Sequence, residues 1–282
     1  MSSIKDIKHR IANVSTTKQI MKAMDMVSVT KLQKARLRLE GVRPLSHELQ
    51  SLIDDLSNYE SIGRNAFTEQ REVKNSAYIV VTSDKGLCGG YNVNIAKAAL
   101  EHMNQGKNEQ ILVIGAKGSE YFKRRDKNIL RRITDVSEAQ IYEGSGRLSE
   151  FITSLYLKGE IDEVFVAYTH FESTLNYVPR VEKVLPISRG AEYGKTDSAK
   201  KYEPDADTFL NHIMPLYLHT LFFALFSESL ACEHAARMIN MESASKNASE
   251  IIDDLNSMYN RKRQAAITQE LNEIVSGANI LK

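Results

Sequence analysis

The sequence predicts an α/β domain joined to a long antiparallel α-helical coiled coil. Three observations carry that prediction: apolar residues three and four apart at both ends of the chain, short Val/Ile/Tyr-rich runs between them, and terminal segments almost free of glycine and proline. In residues 1–60 the apolar positions are Ile4, Ile7, Ile11, Val14, Ile20, Met24, Val27, Leu32, Ala35 and Leu39, then Leu45, Leu49, Leu52 and Leu56. No glycine or proline precedes Gly41 and Pro44, so about forty residues, roughly 60 Å of helix, can run unbroken. The last segment, residues 206–282, opens after Pro204 with Asp205 or Asp207 as N-cap and is expected to kink or restart at Pro215. Its stripe runs through Leu216, Leu221, Leu225, Leu230, Ala235 and Met238, continues at Met241, Ala244, Ala248, Ile252, Leu255 and Tyr259, and ends at Ala266 and Ile274. An apolar stripe of that length needs a partner, and each terminal helix is the obvious partner of the other. Ala231, Ala235, Ala236, Ala244 and Ala248 offer a small-residue face to the bulkier N-terminal seam.

Between the helices, residues 74–190 change period. Strands are expected at 77–82, 110–114, 129–133, 164–168 and 181–187, with helices near 94–103, 117–125 and 146–157. Alternation of strand and helix gives a doubly wound, mainly parallel sheet, and the last two strands, with no helix between them, pair antiparallel. Residues 191–205 read as a connector.

The charges nearly cancel, 37 basic against 36 acidic, which excludes a whole-molecule field for nucleic acid or a membrane surface. The first 43 residues are the exception, with ten basic and three acidic side chains, a net +7. Aromatic residues are not interleaved with those bases, so a protein partner fits better than nucleic acid. Cys88 and Cys232 form neither a disulfide framework nor a metal motif, and the seven histidines show no ligand spacing, so no metal or cofactor is expected. The most apolar stretch, Ile213 to Phe226, falls short of the roughly 20 residues that span a bilayer and reads as a buried helix. With no presequence pattern at its start, the chain is expected in the cytoplasm.

One loop tempts a catalytic reading. Thr82 to Asn92 (TSDKGLCGGYN) joins a strand to a helix, where doubly wound folds bind phosphate. Its G-x-x-G-G spacing matches neither the dinucleotide fingerprint nor the P-loop. A tight turn with a structural or docking role is the stronger reading. A nucleotide- or phosphate-binding enzyme with a coiled-coil dimerisation arm is the alternative. His234, Glu250, Asp253 and Asp254 read as ordinary helix positions, and Cys88 lacks a nearby base.

These segments resemble one family. The N-terminal IKDIKHRIANVSTTKQIMKAMDMVSVTKLQKAR, the central TSDKGLCGGYN, and the C-terminal EHAARMINMESASKNASEIIDDL and YNRKRQAAITQELNEIVSGAN are similar to the gamma subunit of the bacterial F-type ATP synthase. The most specific element is Ile267, Thr268, Glu270, Glu273, Gly277 and Ala278. Departures are small: Lys85 where arginine is frequent, Met21 and Asp25 where Thr and Glu are common, and Ile280 after the tip. The resemblance implies a rotor shaft whose tip, Ser276 to Asn279, turns inside a ring of alpha and beta subunits, with the α/β domain seated beside epsilon on the membrane c-ring. It implies that Lys22, Met24 and Arg237 meet the lever loops of beta, that Arg263, Gln264, Thr268 and Glu270 meet the catch loops of alpha and beta, and that Tyr202 and Glu203 touch the c-ring. It implies no cofactor, no thiol switch and no catalytic residue in this chain, and a peripheral position on the cytoplasmic face of the plasma membrane.

Overall fold

The computed structural model describes residues 3–57, 65–103, 107–188 and 202–280. The elements in chain order are α1 (Ile4–Ser57), β1 (Asn75–Val81), α2 (Tyr91–Met103), β2 (Asn108–Ile114), α3 (Ala116–Lys123), β3 (Ile129–Ile133), a 3-10 turn (Glu138–Gln140), α4 (Ile141–Leu157), β4 (Glu163–Phe171), β5 (Tyr177–Leu185) and α5 (Ala206–Ile280). Two compact units result, Met1–Ser28 with Arg237–Lys282, and Val29–Ala236. Of the expected connector, residues 191–201 lie outside the described residues.

The larger unit is the doubly wound domain together with parts of both long helices. Its sheet has the order β3-β2-β1-β4-β5. β1 pairs parallel with β2 and β4, β2 parallel with β3, and β5 antiparallel with β4. Alternate residues of β1 point to opposite faces. Tyr78 and Val80 pack with Ile95, Ala99 and Met103 of α2 and Phe122 of α3. Ala77, Ile79 and Val81 belong to the other core, with Leu148 and Ile152 of α4, Ile53 and Leu56 of α1, and Leu218 and Phe222 of α5.

Neither long helix is ended by its proline. α1 continues through Gly41 and Pro44, and α5 through Pro215. An interior proline costs about 3 kcal/mol. Burial of Val42, Leu49, Ile53 and Leu56 around Pro44, and of Leu210, Met214 and Leu218 around Pro215, stabilises by about 1.5–3 kcal/mol per side chain and outweighs it. At the start of α5, Asp205 is the cap: its Oδ1 accepts from Thr208 N at 2.8 Å. An 18-residue window in this helix reaches a mean hydropathy of 1.4, but half of it is buried. The stretch from Ile213 to Phe226 contributes Met214, Leu218 and Phe222, all fully buried, so it is core.

In the smaller unit, residues 4–28 of α1 pair antiparallel with α5. Ile7 lies in one groove with Ile251, Leu255 and Met258. The buried side of α1 runs Ile4, Ile7, Ile11, Val14, Lys18, Met21, Asp25 and Ser28, steps of three and four throughout. This corrects the predicted seam, because Ile20 and Val27 sit one or two positions off that spacing and are 56% and 55% exposed. In the larger unit Leu45 and Leu216 are likewise exposed, and Val42 and Ile53 join Leu49, Leu56 and half-buried Leu52 on the α1 seam.

Candidate functional sites

The glycine-rich loop is closed by its own side chains. Asn92 Oδ1 accepts from Ser83 N at 2.8 Å, Asn92 Nδ2 donates to Cys88 Sγ at 3.1 Å, and Ser83 Oγ donates to Lys85 O at 2.7 Å. Leu87 and Gly89 hold the turn with φ of 64° and 57°. The neighbouring helix start, where a phosphate would seek free amides, is already filled. Asp84 Oδ1 accepts from Ala116 N at 2.9 Å and its Oδ2 from Asp135 N at 3.0 Å. A carboxylate at an N-terminus satisfies the same donors and the same dipole that an anion would. Gly115, at φ 96°, and Gly118 let α3 lie against Thr82, since a Cβ on Gly115 would stand 2.3 Å from Thr82 O. The loop therefore has the chemistry of a structural turn. Among the described residues no group of three His, Cys, Asp or Glu side chains is placed to hold a metal ion.

What the loop does hold is α5. Tyr91, buried at the start of α2, donates its hydroxyl to Ser229 O at 3.0 Å, and Ser229 Oγ accepts from Thr169 N at 3.2 Å. Cys88, Tyr91, Cys232 and Ala236 share one small core. Burial pushes both the Tyr91 hydroxyl and the Cys232 thiol well up, so neither ionises at neutral pH.

Two carboxylates then tie the helices to the sheet domain. Glu228 of α5, 8% exposed, accepts from Arg43 of α1 at 2.8 Å and from Phe171 N at 3.2 Å, with His170 Nδ1 at 3.0 Å. Glu138, in the turn before α4, lies 3.0 Å from Lys31 and 3.4 Å from His234 Nε2. Burial alone would raise its pKa; the hydrogen bond and charge of Lys31, with the charges of His234 and Arg38, outweigh it and hold the carboxyl below its ordinary value. Within this unit α1 and α5 are thus gripped by partly exposed ion pairs, the Glu228 carboxylate alone being buried, as well as by apolar packing.

The sequence-predicted contact residues fall in three groups. In the antiparallel pair, the match of Ile7 with Leu255 brings Met24 roughly level with residue 238, so Lys22, Met24 and Arg237 share one end of the smaller unit. Lys22 is exposed, Met24 half-buried and Arg237 buried. Arg263, Gln264, Thr268 and Glu270 are all exposed on α5, the Thr268 hydroxyl donating to Gln264 O at 2.9 Å. Tyr202 is half-buried, its ring 5.5 Å from Phe209, and Glu203 beside it is exposed.

The structure adds a feature that the sequence reading named only at Ile274. From 263 onward α5 has left the span of α1, and every described side chain except half-buried Ala266 is exposed. Ile267, Leu271, Ile274 and Val275 nevertheless continue the apolar spacing, with Ile274 68% exposed. The signal was available, because the seam of α1 begins at Ile4 while that of α5 runs on to Val275. An apolar stripe on an otherwise polar helix marks a place for a protein partner.

A helix end left for a partner, and a glycine-rich loop spent on internal bonds, define a protein that works through helical contact surfaces. The sequence matches the ATP synthase family over residues 3–281. It is 40% identical over 285 residues to the ATP synthase gamma chain of Alkaliphilus metalliredigens, with 99% of both chains covered. It is 37% identical over 298 residues to the sodium ion specific ATP synthase gamma chain of Acetobacterium woodii, again covering 99% of each. Its fold is similar to a chain of the Euglena gracilis mitochondrial ATP synthase, with a TM-score of 0.73, 16% identity, and 99% of this chain and 94% of that one covered. A chain of the Tetrahymena thermophila central stalk and c-ring structure gives a TM-score of 0.64 at 24% identity, over 80% of this chain and 99% of that one. This chain belongs to the gamma-chain family of the ATP synthases.

Proposed function

We propose that this chain is the central rotor shaft of an F-type ATP synthase. In this reading it couples rotation of a membrane c-ring, driven by an ion gradient, to ATP synthesis or hydrolysis at sites carried by other subunits. It is itself non-catalytic, and it lies peripherally at the cytoplasmic face of a bacterial membrane. Residues 1–60 and 206–282 form the shaft, residues 74–190 the foot beside epsilon, and 191–205 the connector. The observation that carries the reading is the unpaired, apolar-striped end of α5 on a chain that matches gamma chains end to end.

A shaft must be gripped firmly at one place and loosely at another. The Glu228 and Glu138 ion pairs provide the first. The end of α5 provides the second: exposed Ile267, Leu271, Ile274 and Val275 offer an aliphatic stripe that can slide between its polar contacts. Lys22, Met24 and Arg237 would meet the lever loops of beta, Arg263, Gln264, Thr268 and Glu270 the catch loops of alpha and beta, and Tyr202 with Glu203 the c-ring. The chain should co-purify with alpha and beta and raise the ATPase turnover of their ring. An alpha–beta ring that assembles and turns over equally well without it would overturn the proposal. The nucleotide-binding alternative requires saturable ATP binding by the full chain, and the internal closure of the loop by Asn92 and Asp84 speaks against it.

A further inference from the structure

Within the larger unit β4 outruns its parallel neighbour. The pairing of β1 with β4 ends at Val80 and Ala167, while β4 continues to Phe171. A strand edge without a neighbour presents bare backbone donors and acceptors. Thr169 and Phe171, two residues apart, turn theirs to the long helices. Thr169 N donates to Ser229 Oγ at 3.2 Å, and the Cys232 thiol donates to Thr169 O at 3.3 Å. Phe171 N donates to Glu228 Oε1 at 3.2 Å, and Phe171 O accepts from Arg43 at 3.3 Å. Side chains of α5 and α1 thus stand where the next strand would be, and they take the N–H and C=O of both residues.

The hold goes round the helix. From 227 to 236 no side chain of α5 is exposed. At about 100° per residue, with Glu228 at zero, Cys232 stands at about 40°, Ser229 at about 100° and His234 at about 240°. The first three meet β4. His234, on the opposite side, lies 3.4 Å from Glu138, which also holds Lys31 of α1 at 3.0 Å. A helix tied on one side can roll, whereas one tied on opposite sides resists turning in either sense. Hydrogen bonds weaken steeply when misaligned, so they oppose rotation in a way that non-directional apolar packing does not.

We infer that the overrun edge of β4 is the joint through which torque passes between the sheet domain and the two long helices, with Arg43 and Glu228 as its positioning residues. The inference rests on the rotor reading and locates within it the place where foot meets shaft. Arg43, carried by α1, bonds α5 through Glu228 at 2.8 Å and β4 through Phe171 O, so one side chain links all three parts. Glu228 in turn fixes Phe171 N. Both residues set the angle of the sheet domain on the shaft and touch no contact assigned to alpha, beta or the c-ring.

The test uses this chain assembled with a surface-fixed alpha–beta ring, with a gold particle on Leu175→Cys in the 82% exposed turn between β4 and β5. At limiting ATP, the angular variance of the label in the pause between steps reads the stiffness from ring to hairpin. Arg43→Met and Glu228→Gln should each raise that variance at least twofold, with hydrolysis at saturating ATP within twofold of the parent. Glu228→Gln keeps an acceptor for Phe171 N, so that arm stands even if Arg43→Met melts lower. Glu163→Gln weakens the same strand at its other end and should leave the variance unchanged, which separates the joint from lost stability. Parental variance in both variants, or an equal rise with Glu163→Gln, overturns the joint and leaves the rotor reading standing. A parent label that stays still during hydrolysis overturns the rotor reading and the joint with it.

Discussion

Glu163 gives the sharpest quantitative expectation. It opens β4, is 3% exposed, and is surrounded by three donors: Ser76 Oγ at 2.7 Å, Lys107 Nζ at 2.9 Å and Lys183 Nζ at 3.0 Å. Burial alone would raise its pKa, but these bonds outweigh burial and hold the carboxyl below its ordinary 4.5. Glu163→Gln removes two charge-assisted bonds while both lysines, 29% and 37% exposed, return to water. The expected loss is about 2 kcal/mol. Replacing both lysines by Met instead strands a buried carboxylate with one hydroxyl, at a cost of about 3–5 kcal/mol. The triple substitution Glu163→Leu with both lysine replacements should recover most of that loss. Because the folded pKa is depressed, the stabilisation is present above pH 4.5 and is lost as pH falls through the lower folded value. The gap between parent and Glu163→Gln should therefore shrink on acidification. Urea unfolding followed by circular dichroism at pH 7 and at pH 4 measures both quantities. A double-lysine variant no less stable than Glu163→Gln, or a gap that widens in acid, would refute the reasoning.

Three further expectations concern the turn, the helical pair and the tip. Gly115→Ala, which forces a Cβ against Thr82 O from a positive φ, should destabilise by about 3 kcal/mol in the same urea assay, whereas Gly41→Ala, with nothing within 4 Å, should be neutral or stabilising. Ile7→Ala and Leu255→Ala each empty a buried seam position, and each should cost about 2 kcal/mol. That loss should be read as faster amide exchange confined to residues 4–28 and their partners in α5. Arg263→Ala and Gln264→Ala change exposed side chains, so unfolding should not shift, while turnover of the assembled alpha–beta ring should fall; unaltered turnover in both would remove them from the contact surface.

Much of this architecture was legible because its signals are local. Each strand and each central helix shows its own period, and Ile129–Ile133 emerges with its predicted limits. The antiparallel β4–β5 pair follows from the missing helix between them. Where a local rule met tertiary packing, packing decided: Pro44 and Pro215 each lie inside one helix, next to turns that bury Val42 or Met214. Ile20 and Val27 follow hydrophobicity but not strict spacing, which runs instead through half-buried Lys18, Met21 and Asp25 and buried Ser28. The closure of the glycine-rich loop was invisible for another reason. Asp84 reaches Ala116 and Asp135 across 32 and 51 residues, and nothing in the loop's own sequence announces those partners.

The most direct measurement of the shaft reading watches the chain turn. Cys88 and Cys232 are buried, whereas Leu175, in the turn between β4 and β5, is 82% exposed, so Leu175→Cys supplies one accessible thiol for a bead or fluorophore. With the alpha–beta ring fixed to a surface and ATP supplied, the account predicts unidirectional rotation of that label, at a rate that follows hydrolysis. Sustained hydrolysis by the assembled complex while the label stays still would contradict it.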